Sequence, residues 1–71
     1  MESFNSREEA TEWMLKSVRD LCVDNYRFAD ENNPQEVAKY NDRQERGCCG
    51  SFDEVVLINN VRTMIGCNYG H

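Results

Sequence analysis

Residues 6–30 read SREEATEWMLKSVRDLCVDNYRFAD, and whether this stretch is one element or two decides the fold. It opens on Ser6-Arg7-Glu8-Glu9, a capping box in which the Ser6 hydroxyl accepts from the Glu9 N–H and the Glu9 carboxylate reaches back. With Ala10 as origin and a turn of about 100° per residue, Trp13, Met14, Val18, Leu21, Cys22, Leu15, Tyr26 and Phe28 fall on one broad arc. Arg19, Glu12, Lys16, Glu9, Arg27 and Asp20 occupy the other, interrupted only by Val23. The pattern predicts an amphipathic helix over about 6–30, with Cys22 as a core thiol.

A second helix is expected over about 34–46. Asn33 can cap it, Pro34 suits its first position, and Glu36 completes a second capping box. Gly47 offers a left-handed stop, with Arg43 and Arg46 near the negative helix end. Val37, Ala38 and Tyr40 are its only apolar residues, so residues 41–46 read either as a solvated helix end or as a polar arm that meets a partner.

Beyond the loop Gly47-Cys48-Cys49-Gly50, two β-branched runs flank Asn59-Asn60, a pair that tolerates positive φ. They predict a hairpin over about 51–67, in which opposed residue numbers sum to 119: Ile58 with Val61, Val56 with Thr63, Glu54 with Ile65, Phe52 with Cys67. One face then carries Phe52, Val56, Ile58, Val61, Ile65 and Cys67 and should cover the first helix. The other carries Asp53, Val55, Leu57, Arg62 and Met64, which is too apolar for a wet face. It suits a homodimer surface or a seat for the second helix. The expected fold is therefore α+β in the order α-α-β-β, as a single domain spanning residues 1–71.

At 71 residues a domain buries only about 60% of the surface its unfolded chain exposes, so a stapling device is expected. The hairpin register brings Cys48, Cys49 and Cys67 toward the sole histidine, His71. Three thiols and an imidazole match a structural zinc site. Against zinc stand the adjacent positions of Cys48 and Cys49, the four-residue gap from Cys67 to His71, and the missing two-residue ligand spacing. On the alternative reading Cys67 is a small core residue, His71 is a free tail, and no cofactor is bound. Cys67 with His71 as nucleophile and base is the further alternative, a thiol-dependent enzyme. It lacks an orienting group and an oxyanion hole, so no catalytic set is readable and the chain is not expected to be an enzyme.

The charge is −5, and residues 1–45 carry all of it with 11 acids against 6 bases. Nucleic acid and anionic membranes need a basic footprint and are excluded as direct partners. A basic protein surface is compatible. No apolar run reaches membrane-span length, and the first residues lack a basic and an apolar signal region, so the expected location is cytoplasmic. Together these features point to a small acidic protein-interaction module, a regulator or inhibitor of a larger protein. In size and composition it is analogous to the short acidic proteins of bacteriophages and mobile elements. Trp13, Tyr40, Val55, Leu57 and Met64 are the candidate interaction residues.

Overall fold

The computed structural model describes residues 1–19, 21–47 and 50–70. The elements in chain order are β1 (Ser3–Phe4), α1 (Arg7–Ser17), β2 (Cys22–Asp30), α2 (Pro34–Arg46), β3 (Gly50–Ile58) and β4 (Val61–Gly70). The four strands form one mixed sheet in the order β1-β3-β4-β2, with β1 parallel to β3 and the other neighbours antiparallel. The class is α+β, but the order is β-α-β-α-β-β. The two-helix-plus-hairpin arrangement is corrected by the strand at residues 22–30, which docks on β4.

The helix expected over 6–30 ends at Ser17, capped by Val18, whose N–H donates to Leu15 O at 3.3 Å. Residues Cys22–Asp30 of that stretch form β2, a strand with a bulge. Asp24 pairs with Asn68 but Arg27 pairs with Gly66, so three steps along β2 match two along β4. Asn25, at φ 55°, occupies the irregularity, a conformation asparagine tolerates better than most residues. The inserted residue reverses the side-chain parity. Val23 and Phe28 both pack against the α1 core although they are five apart. Leu21 and Phe28 are seven apart, two helical turns, which is why a bulged strand carries a helical signature. Val23, the residue out of place on the helical arc, belongs to that core. Cys22 is exposed at the start of β2 rather than buried on a helix.

The hairpin register is as the Asn59-Asn60 turn requires, with Ile58 opposite Val61 and Phe52 opposite Cys67. Both turn residues have positive φ, 52° and 65°, the requirement of a two-residue turn whose twist matches the strands. α1 lies on one face of the sheet. Ala10, Met14 and Val18, at helical spacing, close over Val56, Ile58, Ile65 and Cys67.

α2 lies on the opposite face, chiefly over β2 and reaching β4. Asn33 caps it, accepting from the Gln35 and Glu36 N–H groups at 3.1 and 3.3 Å. The capping boxes are looser than expected. Glu9 accepts from Asn5 N–H at 2.9 Å and Glu36 from Asp30 N–H at 2.9 Å, each tying the helix to a residue before its cap. Gly47 ends α2 at φ −70°, so the stop is not left-handed.

Gly66 sits mid-sheet between Arg27 on β2 and Asp53 on β3. A Cβ there would collide with the Tyr40 hydroxyl and stand 2.6 Å from Phe52 O and 2.7 Å from Asp53 Oδ1. Gly66 therefore serves close approach between α2 and the sheet. Gly66→Ala is expected to lower unfolding free energy in urea by about 2 kcal/mol, the usual cost of an overpacked site. An effect below about 0.5 kcal/mol would show that α2 does not press on β4.

Candidate functional site

The α2-facing side of the sheet is polar where α2 covers it. Odd-numbered residues of β3 and even-numbered residues of β4 share this side, and the β2 bulge adds Arg27 and Asn25 to it. Arg27 is 1% exposed. Its Nη2 donates to Asp53 Oδ1 at 2.8 Å, and its Nη1 donates to Asn68 Oδ1 at 2.8 Å and Asn25 O at 3.1 Å. The guanidinium carbon stands 5.1 Å from the centre of the Tyr40 ring, within cation–π range. Among the described residues Arg27 Nε has no partner.

Asp53 is the hub. Its Oδ1 also accepts from the Tyr40 hydroxyl at 2.7 Å, and its Oδ2 accepts from Ser51 Oγ at 2.8 Å and Gln44 Nε2 at 3.1 Å. Burial alone would raise its pKa. The hydrogen bonds from Tyr40, Arg27 and Ser51 outweigh burial and hold the carboxyl below its ordinary value. Burial first, then the bond to Asp53, pushes the Tyr40 phenol well above its usual range, so it stays a donor. Asn25 completes the network: its Nδ2 donates to Arg43 O at 2.9 Å and Asn68 Oδ1 at 2.7 Å, and its Oδ1 accepts from Arg43 Nε at 3.0 Å.

This network explains the polar half of α2. Arg43 and Gln44 face sheet residues of matching polarity, and Tyr40 is the one buried residue of the helix. On the sequence pattern alone Arg27 falls on a solvated helical arc. The signal for its true place is positional: an arginine in a β-strand facing a glycine on the neighbouring strand.

Tyr40, Val55 and Met64 are brought together. With Gln44, Asp53 and Glu54 they line a groove of about 480 Å³ beside α2. Leu57 is on the same face two residues along β3, and Val55, Leu57 and Met64 are all half-buried. Trp13 lies across the sheet, packed between Phe4 at 5.5 Å and Phe52 at 5.7 Å beside the α1 core. It does not share their surface.

Of the candidate zinc ligands, Cys48, Cys49 and His71 lie outside the described residues. Cys67 is fully buried in the α1 core, and burial pushes its thiol up, away from the thiolate that metal ligation or nucleophilic attack requires. No metal-ligating cluster occurs among the described residues. No helix among them is long and apolar enough to cross a membrane. The chain matches no protein-family model, curated protein or solved structure.

The Asp53 hub has two measurable consequences. Because its folded pKa lies below the unfolded value of about 3.9, its contribution is complete above that value. It is lost as pH falls below, through the depressed folded value. Asp53→Asn should cost about 2–3 kcal/mol at pH 7, less than a fully buried pair because Asp53 keeps some solvent contact. It should also flatten the acid limb of the stability curve below about pH 4, measured by urea titration. Tyr40→Phe removes one of the bonds that depress the Asp53 pKa. It should cost about 1 kcal/mol and move the acid limb to higher pH.

Proposed function

We propose that the chain is a small acidic protein-interaction module, a regulator or inhibitor that works by occupying a basic surface of a larger protein. The observation that carries this reading is the position of α2. It sits over β2 and β4, reaches Asp53 of β3 through Tyr40 and Gln44, and leaves Val55 and Leu57 farther along β3 only partly covered. Val55, Leu57 and Met64 are half-buried together, an apolar patch with the acid Asp53 at its margin on the same face. An apolar centre with a charged rim is the ordinary anatomy of a protein interface. The charge of −5 sets the sign of the partner and favours fast encounter with a basic surface. The polar network beneath α2 pairs Arg27 with Asp53 and Asn68 and reads as the scaffold that fixes the patch.

The test is quantitative affinity capture with the wild-type chain and with Leu57→Lys and Met64→Lys variants, each checked for folding by circular dichroism. A partner retained in stoichiometric amount by the wild type and reduced at least tenfold by both variants is the expected result. Capture that the variants leave unchanged, or no stoichiometric partner in cells that express the protein natively, would overturn the reading.

A further inference from the structure

We propose that the open edge of β3 takes up an extended segment of the partner as an added strand, and that this segment carries lysine or arginine. The proposal rests on the interaction-module reading and adds to it a recognition mode and a partner chemistry. β1 covers only the end of β3, pairing Ser3 with Leu57 and Phe4 with Ile58. On that edge the Leu57 N–H donates to Glu2 O at 2.8 Å and the Asn59 N–H donates to Phe4 O at 2.9 Å. Odd-numbered peptide groups of β3 therefore point toward β1. The β3–β4 register runs without a break from Gly50 to Ile58, so the peptide groups of Ser51, Asp53 and Val55 point to the same edge, beyond the reach of β1. Five residues from 51 to 55 give an edge about 17 Å long.

The surroundings select the occupant. A strand added here places alternate side chains on opposite faces of the sheet. Those on the α2 side enter the groove lined by Val55, Met64 and Tyr40. Those on the α1 side meet Glu54, which is exposed and has no ion-pair or hydrogen-bond partner among the described residues. An apolar residue in the groove and a cation against Glu54 satisfy both. A second copy is disfavoured, because antiparallel pairing of two β3 edges about a twofold axis would bring Asp53 and Glu54 of each copy together between chains of charge −5. Acidic residues on an edge strand guard against self-pairing and still admit a basic partner. The other outer strand, β2, is interrupted by its bulge at Asn25, so β3 offers the regular edge.

The test uses an alternating Val-Lys nonapeptide and its Val-Glu counterpart, added to isotope-labelled protein. Amide hydrogen exchange is followed by NMR. The basic peptide should slow exchange at Ser51, Asp53 and Val55 at least tenfold, and the acidic one should not. Val55→Pro removes an outward N–H without touching the β4 ladder, a position where an edge strand tolerates proline. It should weaken peptide binding at least tenfold with the fold retained. Glu54→Lys, which leaves the backbone intact, should do the same and serves if the proline variant fails to fold. Equal protection by both peptides, no protection at the three amides, or binding unchanged in both variants would overturn the inference. So would sedimentation of the free protein as a dimer that Glu54→Lys alters, since the edge would then belong to a second copy. If the edge amides do not respond while Leu57→Lys and Met64→Lys still abolish partner capture, edge addition falls and the interaction reading stands.

Discussion

The Arg27–Asp53 pair governs how the two layers meet. It crosses from β2 to β3 over Gly66, which lies between the two in the sheet and leaves room for the guanidinium and for the Tyr40 hydroxyl above it. A guanidinium this deeply buried is tolerated only when its charge and its donors are met. Asp53 and Asn68 meet its charge and its Nη donors from two other strands, so three strands and α2 are held in one register. The net energy of such a pair is small, because removal from water offsets most of the Coulombic gain. Its effect is to make one arrangement of α2 far better than its neighbours, since sliding the helix would strand Arg27 without Tyr40, and Asp53 without Tyr40 and Gln44.

The sheet consequently has two unlike faces. Under α1 it is packed with apolar side chains, and Ala10 and Met14 are fully buried there. Under α2 it is polar near Gly66 and becomes apolar again toward Val55, Leu57 and Met64, at the flank of the helix. The proposed interaction surface and the buried network are thus two results of one placement. The pairing that holds α2 over β2 is also what leaves Val55 and Leu57 only partly covered.

The parts legible in the sequence were those with local causes. The Asn59-Asn60 pair fixes the parity of the hairpin, and every opposed pair from Ile58–Val61 outward follows from it. Ser6 and Asn33 marked both helix starts, because capping needs only the next three residues. Residues 19–30 misled because a bulge is invisible to a fixed period. Inserting Asn25 turns a period of two into spacings of five and seven, which a helix also produces. Val23 was the one residue that fitted neither face of that helix. The network was unreadable for a different reason. Its members, Asn25, Arg27, Tyr40, Asp53 and Asn68, come from four elements, and each alone looks like a surface residue. Of the interaction candidates, the hairpin residues could be grouped by parity. Trp13 could not be placed without knowing on which side of the sheet α1 lies.

A double-mutant cycle on Arg27 and Asp53 tests most directly whether this pair sets the placement of α2. Arg27→Met, Asp53→Leu and the double variant would be compared by urea unfolding at pH 7. Each single change is expected to cost about 2–4 kcal/mol, because each leaves a partner uncompensated. The double variant should be less destabilised than the sum of the two by at least about 2 kcal/mol. Additive effects within about 0.5 kcal/mol would mean that the two side chains do not meet across Gly66, and that the placement of α2 has another cause.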